Sequence, residues 1–140
     1  ADEYQIAEAR AAGADLVLLI VAALDEVTLR RLYAHVLDWG MTPLVETHSL
    51  DEARLAVDLG AQLIGVNARD LTTFELDREL FGRVAPIIPD TAVRIAESAV
   101  LGVADVEHYR RAGADVVLVG EALVTGGDPV ATARQFVSVS

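Results

Sequence analysis

The chain contains no cysteine and no lysine. Without thiols there is neither a disulfide framework nor a thiolate nucleophile, and a cytoplasmic location is the expected one. Without lysine there is no side-chain ammonium to act as an acid or to form a Schiff base, and all 11 basic residues are arginines. Long apolar runs are absent as well. The longest, Leu16 to Leu24, has nine residues, whereas a helix crossing a bilayer needs about 20. No basic segment followed by an apolar one opens the sequence, so neither secretion nor a membrane partner is expected. Against 22 acidic residues the arginines leave a net charge of −11. That balance lacks the basic footprint of a nucleic-acid binder.

What remains is an ordinary globular composition: 140 residues, 53% of them hydrophobic, expected to form a single α/β domain over 1–140. Three segments look alike. Glu8 to Asp15 leads into Leu16-Val17-Leu18-Leu19-Ile20, Arg54 to Gln62 leads into Leu63-Ile64-Gly65-Val66, and His108 to Asp115 leads into Val116-Val117-Leu118-Val119. Each reads as a helix closed by glycine (Gly13, Gly60, Gly113) and followed by a short apolar strand. Further strands follow Gly40 and the turn at Pro89-Asp90, giving five near 15–21, 42–47, 62–67, 92–97 and 115–119. Their continuous apolar character suits a parallel sheet covered by helices.

Helix signals fill the intervals. A first helix is expected over Asp2 to Ala12. Asp25 caps another, whose apolar face is Leu29, Leu32, Tyr33, Val36 and Leu37. Ser49-Leu50-Asp51-Glu52 is a capping box before Leu55 and Leu59, and Asp128-Pro129 starts a last helix. Length alone would suit a doubly wound, flavodoxin-like sheet. The repeat of about 25 residues per unit suits instead a (β/α)8 barrel of about 200 residues. On that reading the chain supplies five of eight βα units, with the strand before its first helix absent.

A barrel carries its active site at the carboxyl ends of its strands. Glu46, Asn67, Glu97 and Gly120 stand there. Three polar groups closing three apolar strands are hard to explain by packing, because each one buried without a partner costs about 1–3 kcal/mol. At these residues the sequence resembles a known family. Leu44-Val45-Glu46-Thr47-His48, Asn67-Ala68-Arg69-Asp70-Leu71, Ile95-Ala96-Glu97-Ser98 and Leu118-Val119-Gly120-Glu121 are similar to successive strand motifs of indole-3-glycerol-phosphate synthase. The resemblance covers essentially the whole chain but only the later part of that family's barrel.

The resemblance implies a lyase that closes the indole ring of a carboxyphenylamino-deoxyribulose phosphate in tryptophan biosynthesis, losing CO2 and water, with no metal and no organic cofactor. It implies Glu46 as general base, Asn67 as the residue orienting the substrate, and Glu97 as a second active-site glutamate. Arg69 would lie near the phosphate end, and Ser98, Ala99, Gly120 and Glu121 in the phosphate cradle. Main-chain amides can hold an anion there despite the global charge.

Two departures stand out. Ala99 occupies a position where the family usually has glycine, so a Cβ could crowd the phosphate. The family's lysine acid has no counterpart, so the isolated chain is expected to be inactive. Another phosphate-binding barrel enzyme and a non-catalytic α/β module are the competing readings; the Asn67-to-Leu71 and Glu97-Ser98 pairing disfavours the first, and the lack of lysine disfavours a receiver-like module. His48 is expected to be a satisfied or solvated loop residue, His35 and His108 to lie in helices without metal partners, and Trp39 to join the core. Open sheet edges at Leu16–Val21 and Val116–Val119 imply a homo-oligomer, or a partner bearing the first strands.

Overall fold

The computed structural model describes residues 11, 13, 16–70, 72–73, 75–98 and 102–118. Most of the helix expected at 2–12, the cradle residues Ala99, Gly120 and Glu121, and the helix expected from Asp128 lie outside the described residues. Five strands form the sheet: β1 (Leu16–Ile20), β2 (Thr42–Thr47), β3 (Leu63–Asn67), β4 (Val93–Glu97) and β5 (Val116–Val117). Four helices follow them in turn: α1 (Glu26–Asp38), α2 (Leu50–Leu59), α3 (Leu80–Val84) and α4 (Val103–Arg111).

All neighbours are parallel and the order is β1-β2-β3-β4-β5. A doubly wound sheet reverses direction at a switch point; this one never does. Successive right-handed crossovers in one direction put every helix on the same face. Burial agrees. Leu19, Val45, Ile64, Val66 and Ala96 are buried on the helical side, against Leu29, Leu32, Val36, Ala53, Ala56, Phe81, Val84 and Tyr109. On the opposite face Leu16, Leu18, Val116 and Leu118 are exposed. Among the described residues the sheet is open, as in a partial barrel. No helix among them is long and apolar enough to cross a membrane.

The local chemistry follows the sequence with some corrections. Asp25 caps α1, accepting from Thr28 N at 2.7 Å. Its buried face is Leu29, Leu32, Tyr33 and Val36, whereas Leu37 is exposed, one residue beyond the stripe. Trp39 is not core either: it is exposed at the helix end, its indole N–H donating to His35 Nε2 at 2.9 Å. In α2 the buried positions are Ala53 and Ala56, with Leu55 and Leu59 only partly covered. Gly60 ends that helix at φ +83°, a conformation a Cβ would disfavour. The first strand stops at Ile20, and Val21–Ala23 form a 3-10 turn. Although β5 is short, backbone bonds from Asp115 N to Arg94 O and from Leu118 N to Ala96 O continue its pairing.

Between β3 and α3 the chain makes a small excursion. Arg69 and Leu76 form an isolated antiparallel bridge, and Asp70 accepts from Thr72 N and Thr73 N at 2.7 and 2.9 Å. The helix α3 itself is only five residues and runs into a 3-10 turn at Ala85–Ile87. Arg94, on the helical face of β4, secures this end. Its guanidinium donates to Ile88 O at 2.6 Å, Ala85 O at 3.3 Å and Asp90 at 3.0 Å.

Arg94→Ala leaves those part-buried carbonyls without their donor and should lower stability by about 1–3 kcal/mol. Arg94→Lys should recover only part, lacking the planar fork. Urea denaturation compares the variants.

Candidate active site

Neighbouring residues in a parallel register project to the same face, so the sheet can be read in rows. One row runs Ile20–Glu46–Gly65–Ile95–Val116 across all five strands. Two residues further along, Asn67 of β3 is level with Glu97 of β4. Both rows lie at the carboxyl end of the sheet, on the face away from the helices. The three polar residues expected at the strand ends are therefore brought together.

Glu46 is 6% exposed and Glu97 8%. What lets them meet is Gly65. A Cβ on Gly65 would collide with Glu97 Oε2 and stand 3.1 Å from its Cδ. The Glu97 carboxyl thus fills the space a side chain at 65 would occupy, directly beside Glu46 in the row. Its pKa is pushed up to about 8, first by desolvation and then by the charge and hydrogen bonding of Glu46. Oε2 of Glu97 has no hydrogen-bond partner among the described residues.

Asn67 is oriented by its surroundings. Its Oδ1 accepts from Ser98 Oγ at 2.6 Å and from Arg69 N at 3.0 Å. Both lone pairs are thereby engaged, leaving the NH2 group as the donor end of the amide. Ser98 sits at φ +66°, a backbone region rare for residues other than glycine. Its hydroxyl is committed to Asn67, so only its main chain is free to serve a phosphate cradle. Arg69 contributes its backbone to the same knot.

Thr47, between Glu46 and His48, projects to the helical side and donates to Gly65 O at 2.8 Å. His48, expected to be satisfied or solvated, is neither. Its side chain is 9% exposed, with Nε2 3.4 Å from Glu46 Oε2, and neither ring nitrogen makes a hydrogen bond among the described residues. The sequence signal was available: a residue two beyond Glu46 leaves the strand on the same face. Alongside lies an open cavity of about 530 Å³ whose lining includes His48, Ser49, Asn67, Asp70, Asp77 and Arg83.

The raised Glu97 fixes a pH dependence. The unfolded carboxyl loses its proton near 4.5 and the folded one near 8, so between these values the folded state binds the extra proton. Stability should therefore fall as pH rises through that window and level off above it. Glu97→Gln has no such titration and should gain on the unmodified chain across the window, as read by urea denaturation at several pH values. Gly65→Ala, by driving the two carboxyls apart, should flatten the same curve.

Comparison with known proteins accords with this geometry. The family model of indole-3-glycerol phosphate synthase matches residues 1–136. A protein of that name from Leifsonia xyli subsp. xyli is 65% identical over 136 residues, covering 97% of this chain and 52% of the relative. Another from Nocardioides sp. is 54% identical with the same coverage. The chain thus spans about half the length of the curated relatives it matches. Among solved structures, 3-hexulose-6-phosphate synthase from Salmonella typhimurium superposes with a TM-score of 0.79 at 21% identity, over 98% of this chain and 66% of that one. Thiamine phosphate pyrophosphorylase from Pyrococcus furiosus gives 0.74 at 16%, over 96% and 63%. These distant likenesses bear on the fold alone, which is of the TIM-barrel type. The sequence matches go further: this chain belongs to the indole-3-glycerol phosphate synthase family.

Proposed function

We propose that this chain carries the base side of an indole-3-glycerol phosphate synthase reaction, closing the ring of a carboxyphenylamino-deoxyribulose phosphate with loss of CO2 and water. The observation that carries this reading is the buried Glu46–Glu97 pair over Gly65. Aromatising the new ring requires a base that removes a proton from carbon, held close and screened from water. Two carboxyls in one dry site take up different protonation states. Glu97, with its pKa near 8, keeps its proton near neutrality. Glu46 is then the group that accepts one.

The NH2 of Asn67 orients a substrate hydroxyl, and Arg69 lies towards the phosphate end. We assign the phosphate cradle to Ser98, Ala99, Gly120 and Glu121, as the resemblance implies; main-chain amides rather than cations would let so acidic a chain bind an anionic sugar phosphate. The lysine that the resemblance implies as general acid has no counterpart in this sequence; we assign that role to the part of the family's barrel that this chain does not span. The protein acts in the cytoplasm, as a cysteine-free biosynthetic enzyme would.

The experiment is reconstitution. The chain is fused to the amino-terminal half of the Leifsonia xyli relative and indole formation is followed by fluorescence. The chain alone should be silent and the fusion active, and Glu46→Gln should lower the fusion's rate by about 10²–10⁴-fold. A fusion that is inactive, or indifferent to Glu46→Gln, overturns the proposal.

Assembly follows from the open sheet. Among the described residues β1 pairs only with β2, and β5 only with β4. Leu16, Leu18, Val116 and Leu118 expose apolar surface beside these edges. Unpaired edges without lysine or proline are templates for another chain. The isolated chain should self-associate, and light scattering should show a mass above 14.9 kDa. A monomer at micromolar concentration would refute this.

A further inference from the structure

His48 is a largely covered titratable group at the site that the proposed reaction leaves unused. Its ring lies between two carboxylates from different elements. Nε2 faces Glu46 Oε2 at 3.4 Å, and Nδ1 faces Glu52 Oε1 at 3.5 Å. Both distances are slightly long for hydrogen bonds, and neither nitrogen has a hydrogen-bond partner among the described residues. Sites without ligand often hold such contacts long and tighten them on binding.

An ionised carboxylate only accepts, so a ring nitrogen that hydrogen-bonds to one brings the proton. The neutral ring has a single N–H; the imidazolium has two. Glu52 is itself held in place. Its Oε1 accepts from the backbone N–H of His48 at 3.0 Å, and its own N–H donates to Ser49 Oγ at 3.2 Å. The capping box at the start of α2 therefore closes onto His48, one residue earlier than the usual reciprocal bond. Two other acids face this cluster. Glu97 lies across Gly65, and Asp70 belongs to the excursion after β3. The Asp70 carboxyl is held low by the N–H groups of Thr73 and Thr72, with a smaller contribution from His48. A ring buried merely to fill space would leave two bare nitrogens there, each costing about 1–3 kcal/mol.

We propose that His48 is a positioning residue: its doubly protonated ring bridges Glu46 to Glu52 and ties the carboxylate of Glu46 to the amino-terminal turn of α2. The bridge stands on geometry alone, while its consequence for rate rests on Glu46 being the base. With the bridge in place Glu46 cannot rotate away from the substrate carbon. Without it the carboxylate keeps only its contact with Glu97.

The test has two arms. The chain is labelled with nitrogen-15 at histidine and its ring N–H signals are recorded, those of His48 being identified by their loss in His48→Gln. Two exchange-protected low-field signals are expected, one shifting in Glu46→Gln and the other in Glu52→Gln. A His48 ring with one bare nitrogen, or signals indifferent to both substitutions, overturns the bridge. In the fused barrel, His48→Phe should lower kcat on the order of 10²-fold with KM little changed, as misplacement of a reacting group does. His48→Gln should recover part of that loss, because its amide can still donate to Glu46. A His48→Phe fusion with the kcat of the unmodified barrel overturns the positioning role even if the ring signals are present. An unmodified fusion without activity counts against the proposed function instead, and the ring signals then decide the bridge alone.

Discussion

The chemistry at the top of this sheet depends on the side chain that position 65 lacks. Apart from Asn67 at its end, strand β3 is apolar and would separate β2 from β4 on the inner face with a side chain at every second residue. At Gly65 that separation vanishes, and the Glu97 carboxyl lies in the gap beside Glu46. One consequence is electrostatic, since two acids in a dry space do not both ionise. Another is a cost in stability: a buried oxygen of Glu97 has no partner among the described residues. Local rules of good packing are commonly broken where function requires it.

The strands were the most legible part of the sequence. β2 runs over Thr42–Thr47 as expected, because Gly40 and the helix cap at Ser49 bound it on both sides. The end of β1 was less clear, since the apolar run continues through Val21 while the backbone turns into a 3-10 segment there. Hydrophobicity alone cannot distinguish the two. Trp39 falls at helical spacing from Val36, yet it is the last residue before the turn at Gly40, and there it meets His35 edge-on rather than entering the core. The short helix α3 was hidden by Gly82 and Pro86, which weaken any helical signal. At the site, Glu46, Asn67 and Glu97 were legible as polar residues closing apolar strands. The partners of His48 and Ser98 were not, because one depends on Glu52 turning back from the next helix and the other on contact between consecutive strands.

Several acids of this chain are occupied with the backbone. Asp25, Asp70, Asp77 and Asp115 each accept from main-chain N–H groups at turns or strand ends. Hydrogen bonds of this kind hold Asp25 and Asp70 below the ordinary carboxylate range, while the Arg83 contact leads in lowering Asp77. Glu97 is shifted the other way. One population of carboxyls stabilises turns as anions, while Glu97 keeps its proton beside Glu46. The separation arises from burial, not from the net charge.

The strictly sequential strand order also bears on how the sheet is built during synthesis. Every strand pairs with its immediate predecessor, so no segment waits for a distant one before it can dock. Each new helix and strand, once clear of the ribosome, finds a ready edge. Chains emerge at about 5–20 residues per second, far more slowly than such local docking. Assembly can therefore proceed one unit at a time from the amino-terminal side, with the growing edge always the most recently added strand. The Glu46–Glu97 pair forms only when β4 arrives, so the costly buried acids meet after β1 to β3 and the helices between them are already in place.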